Sequence, residues 1–410
     1  MKNDYSKAIK KIFLLLCIIL LLSLGVFEIR VSDGLNTDEI ITQSLYDEWY
    51  FQQPTWAITQ FPKNRKDFSS ESYAWGWSYV ANSLIDMYKA TGDEKYLEFF
   101  IPQAEHITTQ TDEKLGIESF TNSGLSLPAW SDRGHYTSGK FNYTYPVHTG
   151  MITLPILRFV DVVKEKNLSE YRAIADKFLL ASGEALTIHN KPNMWRNFSD
   201  TEGFYRGHSY GEGYVSEANK IGVPNRVFAY LAACGLYDKL TGGEVYTQRI
   251  EKSLRYFKNS LIHYDKNFDS YYWSYYAAGK YPSGWEDISH AALTVYGLFI
   301  LHEEAGFKVL TDKDFVKFKN IVYKMVNDDE PTKVRKYIHK RNNEKEIYYS
   351  KEENAYYYSV LRWAFLGMYD KKMLDRLEGV YQELYLRENY SNIGLFSIAA
   401  YLNTKSKLKD

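Results

Sequence analysis

The sequence predicts an all-α chain built as an (α/α)6 toroid, a ring of six helical hairpins. Three observations predict it. Apolar residues recur at helical spacing through almost all of the stretch from 37 to 404. Six clusters of aromatic and polar residues each stand just before, or at the start of, an apolar helical segment. A short motif, Thr91-Gly92-Asp93-Glu94-Lys95-Tyr96, recurs as Thr241-Gly242-Gly243-Glu244-Val245-Tyr246. Each copy stops one helix at a Thr-Gly pair and opens the next with an acidic first turn. Gly suits a left-handed C-cap, and Glu suits the positive end of a helix. Two equivalent helix-turn-helix settings point to stacked hairpins.

The six clusters are Glu71 to Trp77, Tyr145 to Gly150, Glu212-Gly213-Tyr214 with Pro224-Asn225-Arg226, Trp285 to His290, Glu353 to Tyr358, and Asn389 to Asn392. Room for two antiparallel helices separates each from the next. If alternate helices line an inner ring, all six clusters fall at one end of it. Helices are expected near 37–52, 71–90, 94–110, 148–165, 168–189, 224–241, 244–262, 287–305, 312–327, 353–369, 371–387 and 392–404. The segment from Gly150 to Val163 is apolar around most of its circumference, as a helix buried on all sides should be. The segment from Asp312 to Val322 is amphipathic, as an outer helix should be. Two long irregular stretches, Gly116 to Val147 and Lys191 to Val223, lead into expected inner helices, and loops of that length in a compact domain usually serve function. A polar, aromatic stretch from Arg335 to Lys351 reads as a small β-hairpin or lid. No Ser/Gly/Pro linker interrupts the body, so residues 31–410 are read as one domain.

The first 30 residues read differently. Ile12 to Phe27 form an apolar run behind Lys2, Lys7, Lys10 and Lys11. As a helix, 12–27 spans roughly 24 Å, close to a bilayer core once flanking residues are added. The basic flank places the N-terminus in the cytoplasm and the body outside. No small-residue cleavage site follows, which favours a single-pass signal anchor; a cleaved signal is the alternative. Elsewhere the composition is that of an ordinary folded protein, 45% hydrophobic and 25% charged. A net charge of -1 gives no footprint for nucleic acid. Cys17 and Cys234 are too differently placed to pair. Tyrosine is plentiful, at 37 copies, and supplies a surface able to stack on sugar rings.

Trp75-Gly76-Trp77-Ser78-Tyr79, followed by the run from Met87 to Tyr96, resembles the hairpins of (α/α)-toroid carbohydrate-active enzymes. So does Tyr272-Trp273-Ser274-Tyr275 followed by the run from Trp285 to Ala291. That superfamily contains polysaccharide lyases, glucuronyl C5-epimerases and six-hairpin glycoside hydrolases. The resemblance covers roughly residues 40–405 and implies the toroid and carbohydrate chemistry. No single family's catalytic set matches, so none is carried over.

The residues themselves suggest two chemistries. Six helix N-termini at one end of a ring favour an anionic ligand, and a uronic-acid polymer fits that field. β-Elimination or C5-epimerisation needs a neutralised carboxylate, a base for the C5 proton and an acid. His148 or His290 could be the base, and Tyr145 or Tyr210 the acid. Arg133, Arg206, Arg226 or Asn225 could hold the carboxylate. Hydrolysis instead needs a carboxyl pair across the scissile bond, for which Glu212, Glu286, Asp287, Asp132 and Glu353 are available. Glu286 and Asp287 lie four and three residues before His290, a spacing that serves a helix-start hydrogen bond, a catalytic pair or half of a metal site. No second His cluster stands at ligand spacing, so no metal or other cofactor is expected. Trp75, Trp77, Trp130, Trp285 and Tyr357 complete the candidate sugar-binding set, although each Trp taken singly could equally be core. The leading expectation is a membrane-anchored, extracytoplasmic lyase or epimerase acting on a polysaccharide or oligosaccharide. A glycoside hydrolase is the enzymatic alternative, and a non-catalytic glycan-binding member of an envelope or polysaccharide-synthesis assembly the other.

Overall fold

Helix ends in this chain are set by a few residue types. Gly92 and Gly242 adopt φ of 72° and 66°, the left-handed C-caps that the repeated motif predicts. In both copies the Thr hydroxyl donates to the carbonyl four residues back and accepts from the backbone two residues on. Pro146 and Pro224 open helices at positions where a missing N–H costs nothing. Thr311 and Asp314 form a reciprocal capping box, and Asp287 caps with its side chain.

The structure, a computed structural model, describes residues 41–51, 70–119, 125–133, 142–207, 221–276, 285–326, 333–340, 348–350, 355–385 and 392–409. The principal helices are α1 (Gln43–Phe51), α2 (Ser78–Thr91, entered through a π-turn at Tyr73–Trp77), α3 (Lys95–Thr109), α4 (Pro146–Glu165), α5 (Arg172–Thr187), α6 (Pro224–Thr241), α7 (Thr247–Tyr256), α8 (Ile288–Phe299), α9 (Asp312–Met325), α10 (Ala355–Tyr369, 3₁₀-wound), α11 (Lys371–Tyr385) and α12 (Asn392–Lys407). Each expected helix has its counterpart here.

The even-numbered helices form a closed inner ring. α2 packs on α4, α4 on α6, α6 on α8, α8 on α10, α10 on α12, and α12 returns to α2. The odd-numbered helices lie outside: α3 on α2, α5 on α4, α7 on α6, α11 on α10, and α1 on α12, so the first and last helices close the sixth hairpin. α9 departs from the simple pattern and leans onto α10 and the strand Ser270–Tyr272. This is an (α/α)6 toroid. Its inner helices are buried nearly all round, as the apolar circumference of α4 predicts: every residue from Pro146 to Val163 is buried.

α4 is also the helix among the described residues with the length and composition to cross a membrane. Its apolar window is wholly buried, so protein rather than lipid covers it here. The predicted anchor at 12–27 lies outside the described residues.

Three two-stranded hairpins decorate the ring. β5 (Lys333–Arg335) pairs with β6 (Tyr348–Ser350) where the sequence predicts a hairpin. β1 (Trp195–Asn197) pairs with β2 (Gly203–Tyr205) inside the stretch expected to be irregular, and β3 (His263–Asp265) pairs with β4 (Ser270–Tyr272) between two expected helices, where no strand is predicted. Three-residue strands are too short to show an alternating pattern.

Two constraints hold the ring. At the end opposite the helix starts, Arg158 of α4 reaches Asp86 of α2 at 2.7 Å, Glu304 just beyond α8 at 2.9 Å, and Asn82 at 3.0 Å. Lys89 also meets Glu304, and Asn403 of α12 donates to Asp86. Burial disfavours the Glu304 carboxylate, but Arg158 and Lys89 override that and hold it well below the usual range. The second constraint is close backbone approach. A Cβ at Gly150 would lie 2.4 Å from Tyr230 Cα, and one at Gly297 would lie 2.6 Å from the Phe228 carbonyl oxygen. α4 and α8 therefore both press against the backbone of α6.

Gly150→Ala is expected to cost about 1–3 kcal/mol through overpacking. Gly379→Ala, on α11 with nothing near a new Cβ, should be neutral or gain about 0.5–1 kcal/mol. Arg158→Ala should cost about 3–5 kcal/mol, because it strands two buried carboxylates. Denaturant melts of the three variants check both signs.

Candidate active site

The six inner helices run parallel, so their first turns meet at one end of the ring. Asn392, opening α12, donates to the carbonyl of Trp75 just before α2. Trp75 in turn meets His148 of α4 edge-to-face at 5.8 Å. Across the ring, Arg226 of α6 donates to the Tyr275 hydroxyl at 3.3 Å, and the Tyr275 ring lies 5.1 Å from that of His290 of α8. The predicted convergence of clusters is therefore present for the described members. Tyr210, Glu212 and Glu353 lie outside the described residues, as does the Tyr357 side chain.

One half of the site gathers His148, Tyr145, Trp75 and Ser70. His148 is wholly buried, with Nδ1 2.8 Å from Ser70 Oγ. Tyr145 is buried beside it, ring to ring at 5.2 Å. Trp75 remains half-buried.

The other half is built on the segment from Trp285 to His290. A neighbouring strand holds this segment on both sides of Asp287: Ile288 N donates to the Lys336 carbonyl and Ile338 N to the Glu286 carbonyl. Trp285 rests on an aromatic block in which Tyr272 and His339 stack at 3.8 Å. Lys324 and Asp265 brace His339 from behind.

Asp287 Oδ1 accepts the backbone N–H groups of Ser289 and His290, and Oδ2 lies 2.5 Å from His290 Nδ1. Burial disfavours its charge, yet these hydrogen bonds and the His290 ring hold its carboxyl below the usual range. Glu286 behaves oppositely. It is wholly buried, and neither carboxyl oxygen has a hydrogen-bond partner among the described residues. Burial first, and then the Asp287 charge, push it well above the usual range; Trp273 and Arg226 act against this only weakly, from outside hydrogen-bond geometry. Oxygens of the two carboxyl groups and a ring nitrogen of His290 lie within 4.8 Å of one another. Two adjacent carboxyl groups thus sit in environments that separate their proton affinities, the arrangement that assigns one as acid and the other as anion. The same three side chains could also hold a cation, although Glu286 would first have to lose its proton.

Several sequence candidates fall elsewhere. Trp77 and Trp130 are wholly buried core residues whose indole N–H groups donate to Gln103 and to the Ile107 carbonyl, so neither forms a cleft platform. Asn225 is buried in the first turn of α6, where its side chain accepts from the N–H of Arg226. Asp132 is buried in a bridge to Tyr143, and Arg133 beside it is exposed. Arg206 forms an isolated bridge with Ile221. Cys234 is core, its thiol raised by burial.

The sequence reading missed Arg362 and Tyr275. Arg362 is buried between Tyr79 of α2 and Ser289 of α8. Its signal was a lone Arg inside the apolar run from Val360 to Leu366, because a cation buried in such a run requires a partner.

No protein-family model and no curated protein sequence matches the chain. The ring does have counterparts among solved structures. An inactive variant of the α-1,6-mannanase GH76A of Salegentibacter sp. HEL1_6, in complex with α-1,6-mannotetrose, is 12% identical, with 82% of this chain and 89% of that chain covered and a TM-score of 0.46. Another structure of the GH76A α-1,6-mannanase from Salegentibacter sp. HEL1_6 gives 14%, the same coverage and 0.43. A sugar epimerase from a ruminal bacterium gives 12%, 77% and 75% covered, and 0.46. At this distance the likeness is one of fold, and the reaction must be argued from the site.

Glu286→Gln is expected to stabilise the protein. A carboxyl with a raised native pKa makes the native state lose stability as pH climbs above the ordinary Glu range, about 4.3, because the unfolded chain releases the proton first. Replacement by Gln removes that loss. Melting temperatures from pH 4 to 8 should show the variant's advantage growing with pH; an advantage constant across pH would contradict a neutral, buried Glu286.

Proposed function

We propose that this chain is a carbohydrate-active enzyme that hydrolyses a polysaccharide at the helix-start end of its toroid. The observation that carries the reading is the split carboxyl pair: a buried Glu286, without a hydrogen-bond partner among the described residues and pushed well above the usual carboxylate range, beside an Asp287 held below that range by two backbone N–H groups and His290. In this reading Glu286 supplies the proton to the leaving oxygen. Asp287 faces the developing positive charge of the sugar, and His290 fixes its orientation. Half-buried Trp75 and Trp285 and the Tyr275 ring offer faces for sugar stacking. Residues 12–27 anchor the protein, leaving the ring on the extracytoplasmic side, where an envelope or secreted polysaccharide would meet it.

A second reading has its own support. Tyr145 and His148, the acid and base expected of a lyase or epimerase, do meet, ring to ring at 5.2 Å. The divided proton affinities of Glu286 and Asp287 rank the hydrolase reading first.

One set of assays separates the two. The full chain in detergent is incubated with acidic and neutral polysaccharides while reducing ends and the ultraviolet absorbance of unsaturated uronate are followed. New reducing ends without that absorbance are expected, and Glu286→Gln and Asp287→Asn should each lower the rate by about 100- to 10,000-fold. Wild-type rates in both variants would sink the hydrolase assignment. Rising absorbance that His148→Ala abolishes would instead establish the lyase.

A further inference from the structure

Among the described residues two arginines are buried in the inner helices, and only one of them has counter-ions there. Arg158 is bound by Asp86 and Glu304. Arg362, 4% exposed, meets neutral groups instead: NH2 donates to the Tyr79 hydroxyl at 2.7 Å, and NH1 to Ser289 Oγ at 3.1 Å and to the Ser289 carbonyl. Its guanidinium also lies 4.8 Å from the centre of the Tyr79 ring. Nε is buried with no hydrogen-bond partner, and Arg362 forms no ion pair among the described residues. A guanidinium cannot escape the cost of burial by losing its proton, so a buried one without an anion is an incomplete site.

The surroundings say where the anion belongs. Arg362 lines a small axial cavity with Tyr79, Met151, Leu293 and Phe396 in the first two turns of the inner helices, and with Tyr296 deeper in the ring. It is therefore at the same end of the ring as Asp287 and His290, and it touches Ser289, which lies between those two in sequence. The helix-start field there also favours negative charge. The rest of the wall is apolar and aromatic apart from Asn82 and the Tyr79 and Tyr296 hydroxyls.

We infer that Arg362 is the seat for the carboxylate of an acidic sugar, so that the substrate of this site is a uronic-acid-containing glycan. The inference rests on the reading that the cleft handles a polysaccharide, but binding tests it independently of turnover. Arg362 is a binding residue here, and its fork geometry allows a two-point contact that a lysine cannot reproduce.

The experiment is calorimetric titration of the full chain in detergent with a glucuronate-containing oligosaccharide and with its carboxyl-reduced, neutral counterpart. Melting curves accompany each titration, for wild type, Arg362→Lys and Arg362→Met. The acidic ligand should bind wild type more tightly than the neutral one. Arg362→Met should weaken the acidic ligand by at least about 30-fold, leave the neutral one within about threefold, and melt no lower than wild type. Arg362→Lys should fall between the two. Equal binding of acidic and neutral ligands to wild type overturns the proposal, as does an Arg362→Met variant that melts several degrees lower and weakens both ligands alike, the mark of a structural strut. Protection against melting by phosphate or chloride equal to that by glucuronate would reduce the site to a general anion seat and overturn the sugar assignment. Selective acidic binding without turnover would leave this inference standing and remove the hydrolase reading alone.

Discussion

The buried ion network around Arg158 is the constraint on which the rest of the structure depends. Six inner helices packed in a ring leave an axis that apolar side chains alone must fill or leave void. Here a guanidinium, two carboxylates, a lysine and two amides fill one end of it, drawing α2, α4, α12 and the end of α8 together. A network of this kind adds little net stability compared with a well-packed apolar replacement, but it strongly penalises any arrangement that separates its members. It therefore acts mainly on register: α2 and α4 must stand at the height that brings Asp86 to Arg158. That register carries through the helices to their far ends, where Trp75 meets His148.

The two ends of the ring are electrostatically unlike. At the network end the charges are mutually satisfied, and Glu304 is held ionised by Arg158 and Lys89. At the helix-start end, among the described residues, they are not: Glu286 lacks a hydrogen-bond partner for either oxygen and Arg362 lacks a counter-ion. Both features lower the stability of the free protein, and such local losses gather where a ligand will later interact. Each lies beside a residue that is fully satisfied, Asp287 in one case and Ser289 in the other, so the unsatisfied groups are held rigidly. The α6 backbone, pressed by Gly150 on one side and Gly297 on the other, contributes to that rigidity.

Much of this was legible in the chain before the fold was seen. Thr91-Gly92 and Thr241-Gly242 marked two helix stops because a left-handed C-cap depends on one local residue. The apolar circumference of α4 marked an inner helix because burial on all sides leaves no polar face. The hairpin near 333–350 and the cluster from Trp285 to His290 were visible for similar reasons. Roles that depend on exposure were not. Trp77 and Trp130 share their sequence signature with Trp75, yet only the packing of α2 and α3 shows that they face Gln103 and Ile107 instead of the cleft.

The sequence by itself determined the helices, their alternation between all-round apolar and amphipathic, and hence a ring whose aromatic and polar clusters share one end. These follow from periodicity and capping, which act over a few residues. Only the tertiary structure decided which titratable groups are charged. Glu286 and Asp287 are neighbours in the chain with nearly the same intrinsic chemistry, and they diverge because one side chain turns into the core and the other onto a helix N-terminus. Arg158 and Arg362 diverge in the same way, through what distant helices place opposite them. Solvation and partners set proton affinity and charge compensation, and both are properties of three-dimensional surroundings that no local window contains.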